Sequence, residues 1–319
     1  MSQPQRDEVI DFIAHWSDQT GLPLYRIRGW AGISESKYYS WKKRYGQANE
    51  HNGKVPKRHW ITEAERDAIL EYAEDRDLTG YRRMAYQMLD EDVVAVSPST
   101  VYRVLSEADQ LSNWKSPSSK GEGFEQPTEA HEHWHMDVSY LNIAGTFFYF
   151  CGVLDGYSRT IVHYAIKAQM READVELILQ KAHEQYPDAA PRIITDNGPQ
   201  FIARDFKSFV REAGMSHVRT SAGYPESNGK FERMNKTLKD ECIRRKVPLS
   251  LEEGRELMDE FVTFYNTERL HSAIGHIAPI DKLEGREDQI MKERKRKLEE
   301  ARQQRALANR RDRPAKKAA

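Results

Sequence analysis

Cysteine is nearly missing from this sequence: Cys151 and Cys242 are the two examples in 319 residues. They lie too far apart to read as a metal motif or a disulfide framework, so a reducing compartment is expected. Long apolar runs are missing too. No stretch approaches 18 residues, which leaves no candidate membrane span and no membrane partner. The opening "MSQPQRDEVIDF" has no basic segment followed by an apolar one, so it does not read as a secretory leader, and a cytoplasmic location is expected. Net charge is also close to absent, at -1, but it is unevenly spread. Residues 290–319 hold twelve Lys or Arg against four Asp or Glu, a surplus of +8 that suits a polyanionic partner. What is present, 39% hydrophobic and 31% charged residues, suits a soluble chain of two or three domains.

Composition divides the chain. Up to Leu111 the pattern is helical with short breaks. The segment "SNWKSPSSKGEGFEQPTEA" is rich in Ser, Gly and Pro and reads as a linker over 112–130. Strands alternate with helices over 131–284, and a basic tail occupies 285–319. The first region holds two stretches of one design, over 1–50 and 51–111. In "YRIRGWAGISESKYYSWKKRYG" a short helix breaks at Gly32, and Ser34 is placed to cap a second helix carrying Lys37, Tyr38, Lys42, Lys43 and Arg44. In the other, Ser97 and Pro98 start a helix carrying Ser99, Thr100 and Arg103. Each fits a helix-turn-helix whose second helix enters the DNA major groove. Each also fits a purely structural helical hairpin.

In "HWHMDVSYLNIAGTFFYFCGVLDGYSRTIVHYAIKA", three strand-like runs are separated by the turn sequences "NIAGT" and "DGYSR". Such short separations predict antiparallel neighbours. A helix with Val175, Ile178, Leu179 and Ala182 on one face follows, then a short apolar strand ending at Asp196. Another helix, a fifth strand in "SHVRTSA" and a third helix complete the order β-β-β-α-β-α-β-α, an α/β mixed sheet. Asp137 lies within the first strand on the face opposite Trp134 and Met136. Asp196 lies at a strand's C-terminal end, a favoured position for functional groups in sheets with parallel strands.

The last of these helices lies in "SAGYPESNGKFERMNKTLKDE". At ~100° per residue, Phe231, Met234, Leu238 and Cys242 form one apolar stripe, and Glu232, Lys236 and Lys239 form a second row. A solvated face with a Glu–Lys pair explains that row on its own.

The strings "HMDVSYL", "FCGVLDGYSRTIVHYAI", "IITDNGPQF", "YPESNGKFERMNKTLKDE" and "FVTFYNTERLHSAIGHIAPID" together resemble the catalytic core of the retroviral-integrase superfamily, and within it the insertion-sequence transposases with an Asp-Asp-Glu triad. The 35 residues between Asp196 and Glu232 match the family's spacing. The likeness covers roughly half the chain. It implies an RNase H-like core in a bacterial, nucleoid-associated protein, with Asp137, Asp196 and Glu232 as catalytic ligands of two Mg²⁺ ions, Mn²⁺ being a substitute. Paired ions of this kind suit in-line displacement at phosphorus, and hard carboxylate oxygens suit Mg²⁺. The implied reactions are hydrolysis that frees a 3′-hydroxyl at the element's end and attack of that hydroxyl on target DNA. The implied partners are double-stranded DNA, as terminal inverted repeats and as target, and further copies of the chain. On this reading Lys236 and Lys239 contact the DNA end, with Asn228, Lys230 and Arg233 beside them.

Other signals carry less. His131, His133 and His135 share a strand face, but zinc sites draw ligands from several segments, often with cysteine. Asp155 precedes Gly156 in a turn and is expected to be structural. Tyr265, Asn266, Arg269 and His271 match the family pattern, and the Tyr and Asn are expected to cap or buttress the core rather than touch DNA. Two rival readings are a DNA-binding regulator with a silent integrase-like domain and a nuclease of this fold that cuts without joining.

Overall fold

The computed structural model describes residues 3–47, 57–74, 80–111, 126–219 and 228–311. The linker expected over 112–130 falls outside the described residues up to 125, as does the end of the tail. The chain forms two compact units, residues 1–62 with 302–319, and residues 63–301.

In the first unit, helices α1 (Gln3–Thr20), α2 (Leu24–Trp30) and α3 (Glu35–Lys43) bury Ile10, Ile13, Ile27, Tyr38 and Trp41 together. Gly32 turns the chain between α2 and α3 at φ +66°, a conformation costly for other residues. Ser34 sits extended at the start of α3, as the sequence predicts, but its side chain makes no capping hydrogen bond.

The second unit opens with helices α4 (Glu63–Glu74), α5 (Tyr81–Asp90) and α6 (Pro98–Glu107). Their shared core includes Ile69, Met84, Met88, Val101 and Leu105. Ser97 caps α6 by accepting from the Thr100 N–H, and Pro98 occupies the first helical position.

Strands β1 (His133–Ile143), β2 (Thr146–Asp155) and β3 (Ile161–Lys167) are antiparallel neighbours. Ala144 and Gly145 join β1 to β2 with positive φ at both, the twist a two-residue hairpin requires. Helix α7 (Glu172–Gln185) leads to β4 (Arg192–Thr195), short helices α8 (Pro199–Ile202) and α9 (Arg204–Glu212), and β5 (Ser216–Arg219). The sheet order is β3-β2-β1-β4-β5, with β1, β4 and β5 parallel. Three antiparallel strands followed by two parallel ones, with helices on both faces, make an RNase H-like sheet. Helix α8 stands where only a turn was expected, since Pro199 presets its first residue.

Helix α10 (Gly229–Leu238) continues through one π turn, Lys239–Ile243, into α11 (Arg244–Lys246). Helices α12 (Leu251–Thr267), α13 (Pro279–Leu283) and α14 (Glu287–Arg311) follow. Helices α7 and α9 cover one sheet face over Trp134, Met136, Cys151 and Val153. Helices α10 and α12 cover the other over Leu141, Phe150 and Leu154. The predicted stripe of Phe231, Met234, Leu238 and Cys242 is buried there.

Close approach fixes one residue of α12. A β-carbon on Gly254 would lie 2.6 Å from Ile143 Cδ1. Ile143 Cδ1 is the free end of a side chain and can shift, so Gly254→Ala is expected to destabilise by less than about 1 kcal/mol, net of the ~1 by which alanine favours the helix. Adding Ile143→Val should recover part of that loss in urea unfolding, and a Gly254→Ala protein more stable than wild type would refute the crowding.

The C-terminal helices also tie down the elements before them. Asn266 accepts from the Ile161 N–H and donates to the Ile161 carbonyl, both at 2.9 Å, so one amide clamps edge strand β3. Arg294 donates to both oxygens of Asp90 at 2.8 and 2.6 Å and to the His276 carbonyl. Lys297 reaches the Leu89 carbonyl at 2.9 Å and the Asp92 carboxylate at 2.6 Å. Helix α14 thus grips the C-terminal end of α5.

Candidate active site

The last β1–β4 partners are His135 and Ile194 in parallel register. Carried two residues further, that register sets Asp137 beside Asp196, on the sheet face that α10 covers. Glu232 sits exposed in the first turn of α10. Asn228, 4% exposed at the start of that helix, donates to the Met136 carbonyl and holds the helix end against β1. Asp137 Oδ1 accepts from the Val138 N–H at 2.7 Å, and Asp196 Oδ1 from the Gly198 N–H at 2.8 Å. A β-carbon on Gly198 would come 2.9 Å from Asp196 Oδ1, so this tight turn depends on glycine.

Burial first, then the charges of Asp196 and Glu232, push the Asp137 carboxyl up to about 6, while Lys239 pulls it down. Among the described residues no three His, Cys, Asp or Glu side chains already close around a metal ion. The donor chemistry nevertheless fits one: a carboxyl whose ionised form is disfavoured by neighbouring carboxylates is stabilised by a shared hard cation.

The other residues singled out from the sequence fall in several places. Lys236 and Arg233 are exposed on α10 and Lys239 is half-buried. Lys230 turns inward and donates to the Gly156 carbonyl at 3.0 Å, with its ammonium held down to about 7 by burial and by Arg159. In the first unit, Lys37, Lys42, Lys43 and Arg44 are exposed, whereas Tyr38 is 2% exposed within the core. On α6, Ser99 and Arg103 are exposed and Thr100 is half-buried. Asp155 is structural as expected: it is fully buried and accepts from the His131 N–H and from the Ser158 N–H and hydroxyl. His133 and His135 are buried, and His135 is driven down to about 3 by burial and then by Lys230 and Arg159, so it is neutral.

One ion-pair group has no counterpart in the sequence reading beyond the Arg269 motif. Arg269, 6% exposed, donates to both oxygens of Glu241 at 2.7 and 2.6 Å, and Arg83 of α5 lies 3.9 Å from the same carboxylate. Arg269 also lies over the Tyr265 ring, 5.5 Å from its centroid. Burial, followed by Arg269, Arg159, Arg83 and Arg233, holds His271 down to about 3. The only signal in the sequence was the Arg269 motif itself.

The strand order is that of an RNase H-like integrase core. Two models of the integrase core domain match the chain, over residues 127–225 and 213–279. The insertion element IS476 uncharacterized 39.2 kDa protein of Xanthomonas euvesicatoria is 28% identical over 68% of this chain and 64% of its own length. The transposase for insertion sequence element IS904 of Lactococcus lactis subsp. lactis (strain IL1403) is 28% identical over 48% of this chain and 62% of its own. The match thus spans less than two thirds of either relative. Among solved structures, the HTLV-2 integrase catalytic core domain in complex with magnesium has a TM-score of 0.41 and 16% identity, covering 49% of this chain and 99% of that one. Residues 127–279 thus match the integrase core domain, and the chain is similar to insertion-element proteins and to a transposase.

Proposed function

We propose that this chain is a DNA transposase that binds the ends of its element, cleaves to free 3′-hydroxyls and joins them to target DNA. What supports the reading is the parallel register of β1 and β4, which carries Asp137 toward Asp196, together with the charges of Asp196 and Glu232 that act on the buried Asp137 carboxyl. These three side chains would hold two Mg²⁺ ions, with Mn²⁺ as a substitute. Bound there, the ions supply charge stabilisation to the attacking and leaving oxygens of an in-line displacement.

The chain's own groups do the rest. Strands β1 and β4 and helix α10 fix the three carboxylates on one rigid sheet face. Lys236 and Lys239 share the Glu232 row, offset the carboxylate charge and hold phosphates of the DNA end. Arg233, one residue from Glu232, adds a further phosphate contact, and Asn228 positions the helix. Exposed Lys37, Lys42, Lys43 and Arg44 on α3, and Ser99, Thr100 and Arg103 on α6, read the terminal repeats as helix-turn-helix units. Joining two ends takes at least two copies of the chain, since each copy carries one triad. No described helix is long and apolar enough to cross a membrane. We place the protein in the cytoplasm, on DNA.

The test is joining of a labelled duplex, made from the inverted repeat flanking the coding sequence, to plasmid DNA. Wild type should give a joined product only with Mg²⁺, and Glu232→Gln should give none while still binding the duplex. Binding without any product from wild type would favour the silent regulator. Cleavage without joining would favour the nuclease.

A further inference from the structure

Helix α10 would turn away from the carboxylates if it stayed regular. From Glu232 to Arg244 is 12 residues. At ~100° each they leave Arg244 roughly 120° round the helix from Glu232. The π turn at Lys239–Ile243 takes one extra residue and sets the phase back by about 100°. Arg244 therefore rejoins the row of Glu232, Lys236 and Lys239. All four line one recess of about 290 Å³, beside Asn235 and Asp240. The row is ~18 Å long at the helix rise.

The recess leads on. Lys239 and Arg244 also line a second groove of about 600 Å³, whose far wall includes Tyr140, Asn142 and Phe147. That wall is the outer half of the β1–β2 hairpin. Strand β4 pairs with β1 only over His133–His135, so among the described residues no strand covers β1 on that side beyond it. Tyr140 is 56% and Phe147 63% exposed; alternation sets both on the face opposite α10, and the open edge of β1 brings them into the groove. The Tyr140 ring is tilted against that of Tyr149, 4.9 Å between ring centroids. Arg244 pairs with Asp240 on its own helix, while Lys236 and Lys239 make no ion pair among the described residues.

A row of cations leading from the carboxylates to exposed rings has the chemistry of a single-strand track: phosphates on Lys and Arg, bases on aromatic faces. Bases inside a duplex have both faces covered by their neighbours and offer none to a protein ring. We propose that this track binds unpaired nucleotides of the DNA strand adjoining the carboxylates, with phosphates on Lys236, Lys239 and Arg244 and an unstacked base against Tyr140 and Phe147. The inference rests on the transposase reading and deepens it: the substrate is a DNA end whose strands have parted, and the hairpin holds the parted strand.

The test measures binding of the full-length protein, without divalent cation, to two forms of the terminal-repeat duplex. One is blunt. The other carries a three-nucleotide single-stranded overhang containing 2-aminopurine, whose fluorescence drops on stacking. Wild type should bind the overhang form about tenfold more tightly and quench the probe, as one base–aromatic stack allows. The double substitution Tyr140→Ala, Phe147→Ala should erase both effects and leave blunt-duplex affinity unchanged. Tyr140→Phe, which keeps the ring, should retain them and serves as the folding control. Equal wild-type affinity for both forms, or a preference that survives the double substitution, would overturn the track. So would a double variant that sediments as a smaller species without DNA, which would assign this face to a second copy of the chain. Failure of every protein to bind the blunt duplex would instead remove the transposase reading beneath it.

Discussion

Asparagine in place of Asp137 is expected to give a protein that is more stable than wild type and nearly inert. The carboxyl is pushed up to about 6, from an ordinary value of 3.8, by burial and by Asp196 and Glu232. A carboxyl raised in the folded state contributes its full stability below the unfolded value and loses it as pH rises through the folded one. Metal-free wild type should therefore weaken between pH 4 and pH 6.5, by up to about 3 kcal/mol. Asp137→Asn has no such charge and keeps the hydrogen bond from the Val138 N–H, so its stability should stay level over that range. At pH 7.5 Mg²⁺ should raise the wild-type Tm through binding to the folded state, and do little for the variant. Joining should fall by at least about 1,000-fold, some 4 kcal/mol of transition-state stabilisation. Thermal melts at several pH values, with and without Mg²⁺, check the first part and the plasmid assay checks the second. A variant less stable than wild type at pH 7.5, or one that still joins DNA, would sink the assignment of Asp137.

Glu241→Gln should be strongly destabilising although it lies away from the carboxylates. Burial pushes the Glu241 carboxyl up, but its hydrogen bonds from Arg269 and the charges of Arg269, Arg83 and Arg245 outweigh this and leave it below the usual range. The variant leaves Arg269, 6% exposed, facing Arg83 with no anion between them. Removing one partner of a buried pair costs about 3–5 kcal/mol, while removing both with apolar replacements costs far less. Glu241→Gln is therefore expected to lose about 3 kcal/mol in urea unfolding at pH 7, and adding Arg269→Met to restore most of it. The pH dependence has the opposite sign to that of Asp137. A carboxyl lowered in the folded state contributes above its unfolded value, 4.5, and that contribution is lost as pH falls through the folded one. Wild type and Glu241→Gln should converge in acid. A double variant no better than the single one would show that Arg269 needs no counter-charge.

Much of the fold was legible because the sheet region repeats two simple periods. Alternation at Trp134 and Met136, turn chemistry at Ala144–Gly145, and the stripe of Phe231, Met234, Leu238 and Cys242 each specify one element locally. Asp137 and Asp196 could be set side by side only after β1 and β4 were known to be parallel, which no local pattern states. The family likeness supplied that step. The π turn was invisible, because a projection at constant ~100° assumes an unbroken helix. Such a projection puts Arg244 roughly 120° from Glu232, off the row it joins in the fold. Tyr38 failed differently: it looked like a reader beside Lys37, but helix α3 needs an apolar face and Tyr38 belongs to it. Likewise Lys230 sits among exposed cations in sequence and in the fold donates to the Gly156 carbonyl.

The grip of α14 on α5 bears on engineering a new preference for the element's end sequence. Replacing residues 63–107 with a reader from another protein would look like a clean module exchange, because the proposed recognition residues lie on α6. Arg294, 4% exposed, would then lose Asp90, and Lys297 would lose Asp92 and the Leu89 carbonyl. A graft that transplants α6 alone onto the resident α4 and α5 keeps those anchors. Whole-module chimaeras should express poorly unless the donor brings a carboxylate to the position of Asp90.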